Sequence, residues 1–197
     1  LLQILGCMDP PTSGKLFIDG NDVSRLTEKE RTILRRRKLG FIFQNYQLFP
    51  TMTVFENVAF PMLADNRPKS EVKDRVKALL QAVDLADKIH FFPSSLSGGQ
   101  QQRVAIARAL AMNPRLILAD EPTGNLDRKR GREILELLSH LHREEKLTIV
   151  MVTHDLFAAG FSDRIILLKD GLISEVYDGK EGKDDAVMAH LLEKLNS

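Results

Sequence analysis

Two acidic residues in succession, Asp120-Glu121, follow the apolar run Leu116-Ile117-Leu118-Ala119. Such a run reads as a buried strand, and open parallel sheets bind ligands just past the carboxyl ends of their strands. Adjacent carboxylates repel each other unless a proton or a cation intervenes, and a magnesium–phosphate group would supply the charge. In that reading Asp120 holds a magnesium-bound water and Glu121 polarises an attacking water. Taken alone, the pair serves equally well as a solvated loop start. A second cluster lies upstream, where Ser97-Gly98-Gly99 opens a helical run. The first amides of a helix have no intrahelical partners and its dipole favours an anion, so Ser97 either caps the helix or faces a phosphate. A plain capped helix accounts for these three residues too.

The surrounding pattern must place both clusters. Lys15 to Ile18 alternates and runs into Asp19-Gly20, a strand and a tight turn. Thr27 with Glu30 forms a capping box for a helix through about Arg37, and Leu39 to Phe43 is a short strand ending at Gln44. From Asn45 to Pro93 the chain carries three helical stretches and no strand, with Thr53 and Glu56 capping the first. Beyond Ser97 the order is helix Gly99 to Met112, strand Leu116 to Ala119, helix Arg128 to Arg143, strand Leu147 to Val152, a short helix and strand Arg164 to Leu168. This alternation predicts an α/β fold, a mostly parallel sheet flanked by helices. Lys169-Asp170-Gly171 turns a hairpin into Leu172 to Val176, and Asp184 to Leu195 closes the chain as a helix. At the other end, Leu1 to Gly6 reads as the middle and end of a helix, with Gly6 as its stop.

Composition narrows the function classes. A chain of 197 residues, 43% apolar, suits one core rather than two full domains. With 28 basic against 27 acidic residues, bulk charge points to neither nucleic acid nor anionic lipid. The single cysteine, Cys7, makes no internal disulfide and reads as a small buried side chain. No apolar run approaches the roughly twenty residues of a spanning helix, so a membrane role would need another chain. The run Arg35-Arg36-Arg37-Lys38 reads as a solvated face at a helix end, where the dipole favours cations.

Leu96-Ser97-Gly98-Gly99-Gln100, followed by Gln101-Gln102-Arg103-Val104-Ala105-Ile106-Ala107-Arg108-Ala109-Leu110, resembles the signature motif of the ATP-binding-cassette ATPases. Further motifs match in the family's order. Gln44 is similar to the Q-loop glutamine, which in the family contacts magnesium and the attacking water. Asp120 and Glu121 match the Walker B aspartate and catalytic glutamate, Gly124-Asn125-Leu126-Asp127 the D-loop, and His154 the switch histidine that touches the terminal phosphate. The resemblance implies a P-loop NTPase-type core over 1–44 and 97–197 with an inserted helical subdomain over 45–96. It implies ATP and Mg2+ as ligands, with Asp120 and Gln44 on the metal and Glu121, His154 and Gln44 as catalytic groups. Ser97, Gly98, Gly99, Gln100 and Asp127 would then contact nucleotide held mainly by a second copy, paired head to tail. A transmembrane permease is the implied partner, with no nucleic acid, on the cytoplasmic face of the cell membrane, in a bacterium.

One element of the family pattern is absent from the sequence. Gly-x-x-x-x-Gly-Lys-Ser/Thr, whose amides and lysine cradle the phosphates, occurs nowhere. Ser13-Gly14-Lys15 is followed by leucine and precedes a strand, so it reads as a surface turn. Leu1 to Gly6 resembles the helix that follows the phosphate loop, so the expectation is a chain beginning just after that loop, without its strand. Glu121-Pro122-Thr123-Gly124-Asn125-Leu126-Asp127, with Phe43-Gln44-Asn45-Tyr46-Gln47-Leu48-Phe49-Pro50 and Glu56-Asn57-Val58, looks most like the macrolide-export, lipoprotein-release and cell-division branch. The alternatives are the ATPase of a solute importer and a soluble cassette acting on DNA or ribosomes.

Overall fold

The computed structural model describes residues 1–178 and Leu191; the closing helix expected over Asp184 to Leu195 otherwise lies outside the described residues. The centre is a parallel sheet ordered β3(Leu39–Phe43), β4(Leu116–Asp120), β5(Thr148–Val152). Its register pairs Phe43 with Asp120 and Asp120 with Val152, so all three strands end level. Gln44, Glu121 and Thr153 therefore leave the sheet side by side along one edge. Hydrophobic patterning produces this, since Ile42, Ile117 and Ala119 are fully buried and leave the strand ends as the polar rim.

Helices cover the sheet. The signature helix α5(Gly98–Leu110) packs on β3 and on α3(Val54–Ala64) and α4(Lys69–Ala82), in one core holding Val58, Leu80, Ile106 and Ile117. The third helical stretch expected between Asn45 and Pro93 consists of 3-10 turns at Ala86–Lys88 and Pro93–Ser95. α6(Arg128–Glu145) buries Ile134, Leu135, Leu138 and Leu141 along one stripe and ends at Lys146 in the left-handed conformation. Two hairpins flank this body, β1(Phe17–Ile18) with β2(Asn21–Asp22) and β6(Arg164–Lys169) with β7(Leu172–Asp178). Asp19-Gly20 and Asp170-Gly171 turn them with positive φ at both central residues, as the right-handed twist of paired strands requires.

Three local expectations change. β6, expected beside the parallel strands, stands apart from them among the described residues and pairs with β7 alone, in the antiparallel hairpin expected of the Asp170-Gly171 turn. The stop after α1(Leu2–Leu5) is shared, since Gly6 has φ −78 and Cys7 takes the left-handed φ of 53. Gly6 is small for another reason, as a Cβ there would lie 2.8 Å from the Phe41 ring. Cys7 itself is 2% exposed and burial pushes its thiol up, which fits the inert reading.

The third change concerns the basic run ending α2(Glu28–Lys38), which is a solvated face only in part: Arg37 and Lys38 are exposed, but Arg35 and Arg36 are half-buried and reach neighbouring backbone. Arg35 donates to Cys7 O at 2.6 Å, Arg36 to Ala64 O at 2.8 Å and Arg37 to the Asp65 carboxylate at 2.8 Å. Ala64 is the last residue of α3, so Arg36 satisfies a carbonyl that its own helix leaves unpaired. At the opposite end of α2 the expected Thr27–Glu30 capping box is present. Hydrogen bonds from Arg35 and then Arg31 hold the Glu28 carboxyl down at about 2. The folded value lies below the ordinary 4.5, so this stabilisation is complete above that pH and is lost as pH falls from 4.5 toward 2. Acid unfolding should start at lower pH in the parent than in Glu28→Gln, with the two curves differing least near pH 2.

Candidate functional site

Glu121 is the most constrained residue on the rim. Its φ of 45 lies in the left-handed region, which for a non-glycine residue costs of the order of 1–3 kcal/mol and persists only where the surroundings enforce it. The enforcement is visible: Glu121 N–H donates to Val152 O at 2.9 Å, and Gly124 N–H donates to Glu121 O at 3.0 Å. Three donors then orient the carboxylate, namely the Thr153 hydroxyl on Oε2 at 3.0 Å, the His154 amide on Oε1 at 2.9 Å, and His154 Nδ1, which lies 2.7 Å from Oε1. The Glu121 side chain is 17% exposed and that of His154 81%, so Nε2 of the imidazole is turned to solvent and free to meet a ligand. Asp120 ends β4 exposed, and its carboxylate makes no hydrogen bond or ion pair among the described residues. Side by side stand one carboxylate free to bind and one held in a fixed direction.

Gln44 reaches the same rim from β3. Its backbone carbonyl accepts from Asn125 Nδ2 at 2.9 Å, and its amide nitrogen lies 3.4 Å from Asn125 Oδ1. Gly124 permits this, because a Cβ there would stand 2.7 Å from Gln44 Nε2. The segment after Gln44 is turned tightly, with Tyr46 at φ 59 and Gln47 at φ 47. Fully buried Asn57 fastens its far end, accepting from Phe49 N–H at 2.8 Å and donating to Phe49 O, Met52 O and Thr53 O. With two N–H groups shared among the three carbonyls and Oδ1 accepting from Phe49, the Asn57 amide has no donor left over, which makes it a loop clamp rather than a ligand-binding group.

The signature residues face elsewhere. Ser97 caps α5 in a capping box: its hydroxyl accepts from Gln100 N–H, and Gln100 Oε1 accepts from Ser97 N–H at 2.9 Å. The amides of Gly98 and Gly99 donate to nothing among the described residues, which leaves an anion-ready first turn. A Cβ on Gly98 would meet the Tyr46 hydroxyl at 2.7 Å and Leu126 at 3.4 Å, so three loops converge on this glycine. Asp127 caps α6, accepting from Arg130 N–H at 3.0 Å, and that bond holds its carboxyl below the usual range.

The rim thus brings together Gln44, Asp120, Glu121 and His154, all named from sequence. Ser97, Gly98, Gly99, Gln100 and Asp127 form a second surface at the starts of α5 and α6. Sequence reasoning missed Thr153, although it lies between a strand end and the histidine. It also missed Gln102, fully buried in α5, which donates to Pro122 O at 2.6 Å and so ties the signature helix to the acidic turn. Ser13-Gly14-Lys15 is an exposed bend ahead of β1, with Gly14 at φ 82.

Asp120 and Gln44 fit a magnesium ion. The ion takes one or two protein oxygens and draws its remaining ligands from phosphate and water, and an unpaired carboxylate beside an amide oxygen offers such a donor set. No cluster of three or more His, Cys, Asp or Glu able to hold a metal alone exists among the described residues.

A protein-family model described as "ABC transporter" matches residues 1–124. Similar proteins include the lipoprotein-releasing system ATP-binding protein LolD of Aquifex aeolicus, 48% identical over 173 residues, covering 88% of this chain and 77% of LolD. The macrolide export ATP-binding/permease protein MacB of Brucella melitensis is 49% identical over 173 residues, 88% of this chain but only 27% of MacB. Among solved structures, the dimeric post-hydrolysis state of the ATP-binding cassette MJ0796 of Methanocaldococcus jannaschii, bound to ADP and Pi, matches with a TM-score of 0.80. It is 45% identical and covers 90% of this chain and 78% of that one.

Proposed function

The chain belongs to the ABC transporter family, and on that premise we propose that it is the ATP-hydrolysing, nucleotide-binding subunit that powers a membrane transporter. The observation that carries the reading is the convergence of Gln44, Asp120, Glu121 and His154 on the level ends of three adjacent parallel strands. Glu121, aimed by Thr153 and His154, is the group that takes the proton from the attacking water. His154, through its exposed Nε2, meets the terminal phosphate. Asp120 and Gln44 hold Mg2+, which when bound neutralises phosphate charge. The free amides of Gly98 and Gly99, with Ser97, Gln100 and Asp127, take the phosphates of nucleotide bound by a second copy. ATP then joins two chains head to tail, and hydrolysis releases them.

Similarity to LolD and MacB favours export or mechanical work through the membrane partner. Among the described residues no helix is long and apolar enough to cross a membrane. On the proposed reading a permease supplies the spanning part, and likeness to LolD and MacB supports placing this subunit on the membrane's cytoplasmic face. The helical subdomain, 45–96, offers a docking surface for it. The rings of Phe49 and Phe60 meet at a tilt with centroids 4.8 Å apart, and Phe49, beyond the Gln44 loop, is exposed with Phe60 and Leu63 of α3.

Purification with native partners tests this directly. A permease co-purifying with the chain supports it, whereas a ribosome or DNA complex without a membrane protein overturns it. A separate expectation concerns the phosphate cradle. The 197-residue chain holds no Gly-x-x-x-x-Gly-Lys-Ser/Thr, and calorimetry should find ATP binding weaker than about 1 mM. Micromolar binding by this chain would show that other residues replace the cradle.

A further inference from the structure

The signature helix has a second polar end. Eleven residues beyond Ser97, about three turns and roughly 16 Å along α5, Arg108 leaves the same side of the helix. Its Nη1 donates to Gln47 O at 2.5 Å and its Nη2 to Tyr46 O at 2.9 Å. Those carbonyls belong to the two consecutive residues with positive φ that follow Gln44. Successive left-handed residues turn their carbonyls to one side, as in a single turn of left-handed helix. A planar guanidinium spans such a pair, whereas an ammonium does not. Arg108 is half-buried, and that burial pulls its guanidinium below its ordinary value. Non-glycine residues hold such backbone only where their surroundings enforce it, and Arg108 is the side chain that grips both carbonyls. At its other end the same loop is tied to Asn125 through Gln44 O.

We propose that Arg108 is a positioning residue that holds the Gln44 loop in register with the signature helix. One rigid helix then carries at its start the groups facing the partner's nucleotide and near its end the grip on the glutamine of the chain's own site. Engagement of Ser97, Gly98 and Gly99 by the partner's phosphate is thereby felt at Gln44. This inference rests on the assignment of those residues to the two halves of the ATP site.

The test uses the full-length cassette with a phosphate-binding loop, assayed for ATP turnover against ATP concentration. Arg108→Lys keeps the charge and loses the fork, and kcat should fall roughly tenfold to a hundredfold while KM for ATP stays within about twofold. Gln47→Gly added to Arg108→Lys should recover at least about a third of the lost rate, because glycine adopts the left-handed backbone without a clamp. Gln47→Val with Arg108 intact should reproduce the kcat loss, since a β-branched residue resists that backbone. Gln47 is exposed, so this variant folds even if Arg108→Lys does not. Full kcat in Arg108→Lys or in Gln47→Val overturns the proposal, as does a kcat loss in Arg108→Lys that glycine leaves unrelieved. Glu121→Gln run alongside separates the two levels. If it stays active, the assignment of the site has failed; if it is dead while Arg108→Lys is unaffected, only the positioning role has failed.

Discussion

With a phosphate-binding loop present ahead of Leu1, Glu121→Gln is expected to lower ATP turnover by about 10²–10³-fold and to trap an ATP-bound pair of chains. The geometry makes this a clean substitution. A glutamine oxygen at the Oε1 position still accepts from the His154 amide, and the new NH2 at the Oε2 position can donate to the Thr153 hydroxyl, which is free to rotate. The strained backbone at φ 45 is fixed by main-chain bonds to Val152 and Gly124, which the change does not touch. Folding and nucleotide-driven pairing should therefore persist while the proton acceptor is gone. Steady-state phosphate release and sedimentation in ATP read the two properties separately. Turnover at the parent rate would remove Glu121 from the role of base.

His154→Ala is expected to cost about a hundredfold in turnover, since it removes both a donor aimed at the terminal phosphate and one of the groups orienting Glu121. Its side chain is exposed, so thermal stability should hardly move. Thr153→Val should cost less, because the His154 amide still holds the carboxylate from the other oxygen. The comparison distinguishes the phosphate contact from the orienting one. Equal losses in the two variants would mean that His154 acts only by aiming Glu121, and an undiminished rate in His154→Ala would leave it a structural residue.

Much of this site is legible in the sequence because strand ends and helix starts carry local signals. Asp120-Glu121 sits behind an apolar run that could be little else than a buried strand, and the capping pairs Thr27/Glu30 and Thr53/Glu56 announce their helices in four residues. What stays hidden is lateral. No spacing rule says that Phe43, Asp120 and Val152 end level, which is what turns three separate motifs into one rim. Arg35 and Arg36 differ from the solvated reading for the same reason: nothing in the spacing shows that the carbonyls of Cys7 and Ala64, distant in sequence, meet them, while Arg37 and Lys38 stay exposed as read. Arg108 and Asn57 escape notice because their partners are main-chain atoms, which leave no mark on residue types. Ser97 caps α5 as its place before Gly98-Gly99 suggests, and Gln100 completes a capping box by the same rule as Glu30 and Glu56.

The central claim is that the signature of one chain and the acidic pair of another form a single hydrolytic site. Mixing two inactive variants of the cassette that carries a phosphate-binding loop tests it most directly. Gly99→Asp places a carboxylate on the anion-binding turn, and its Cβ would make ordinary contact with the Arg130 stem at 3.5 Å. Glu121→Gln removes the base. Each variant paired with itself should be inactive. In an equal mixture half the pairs are mixed, and each mixed pair joins one intact signature to one intact Glu121, so about a quarter of the parent rate should return. A mixture as inactive as its components would contradict the account.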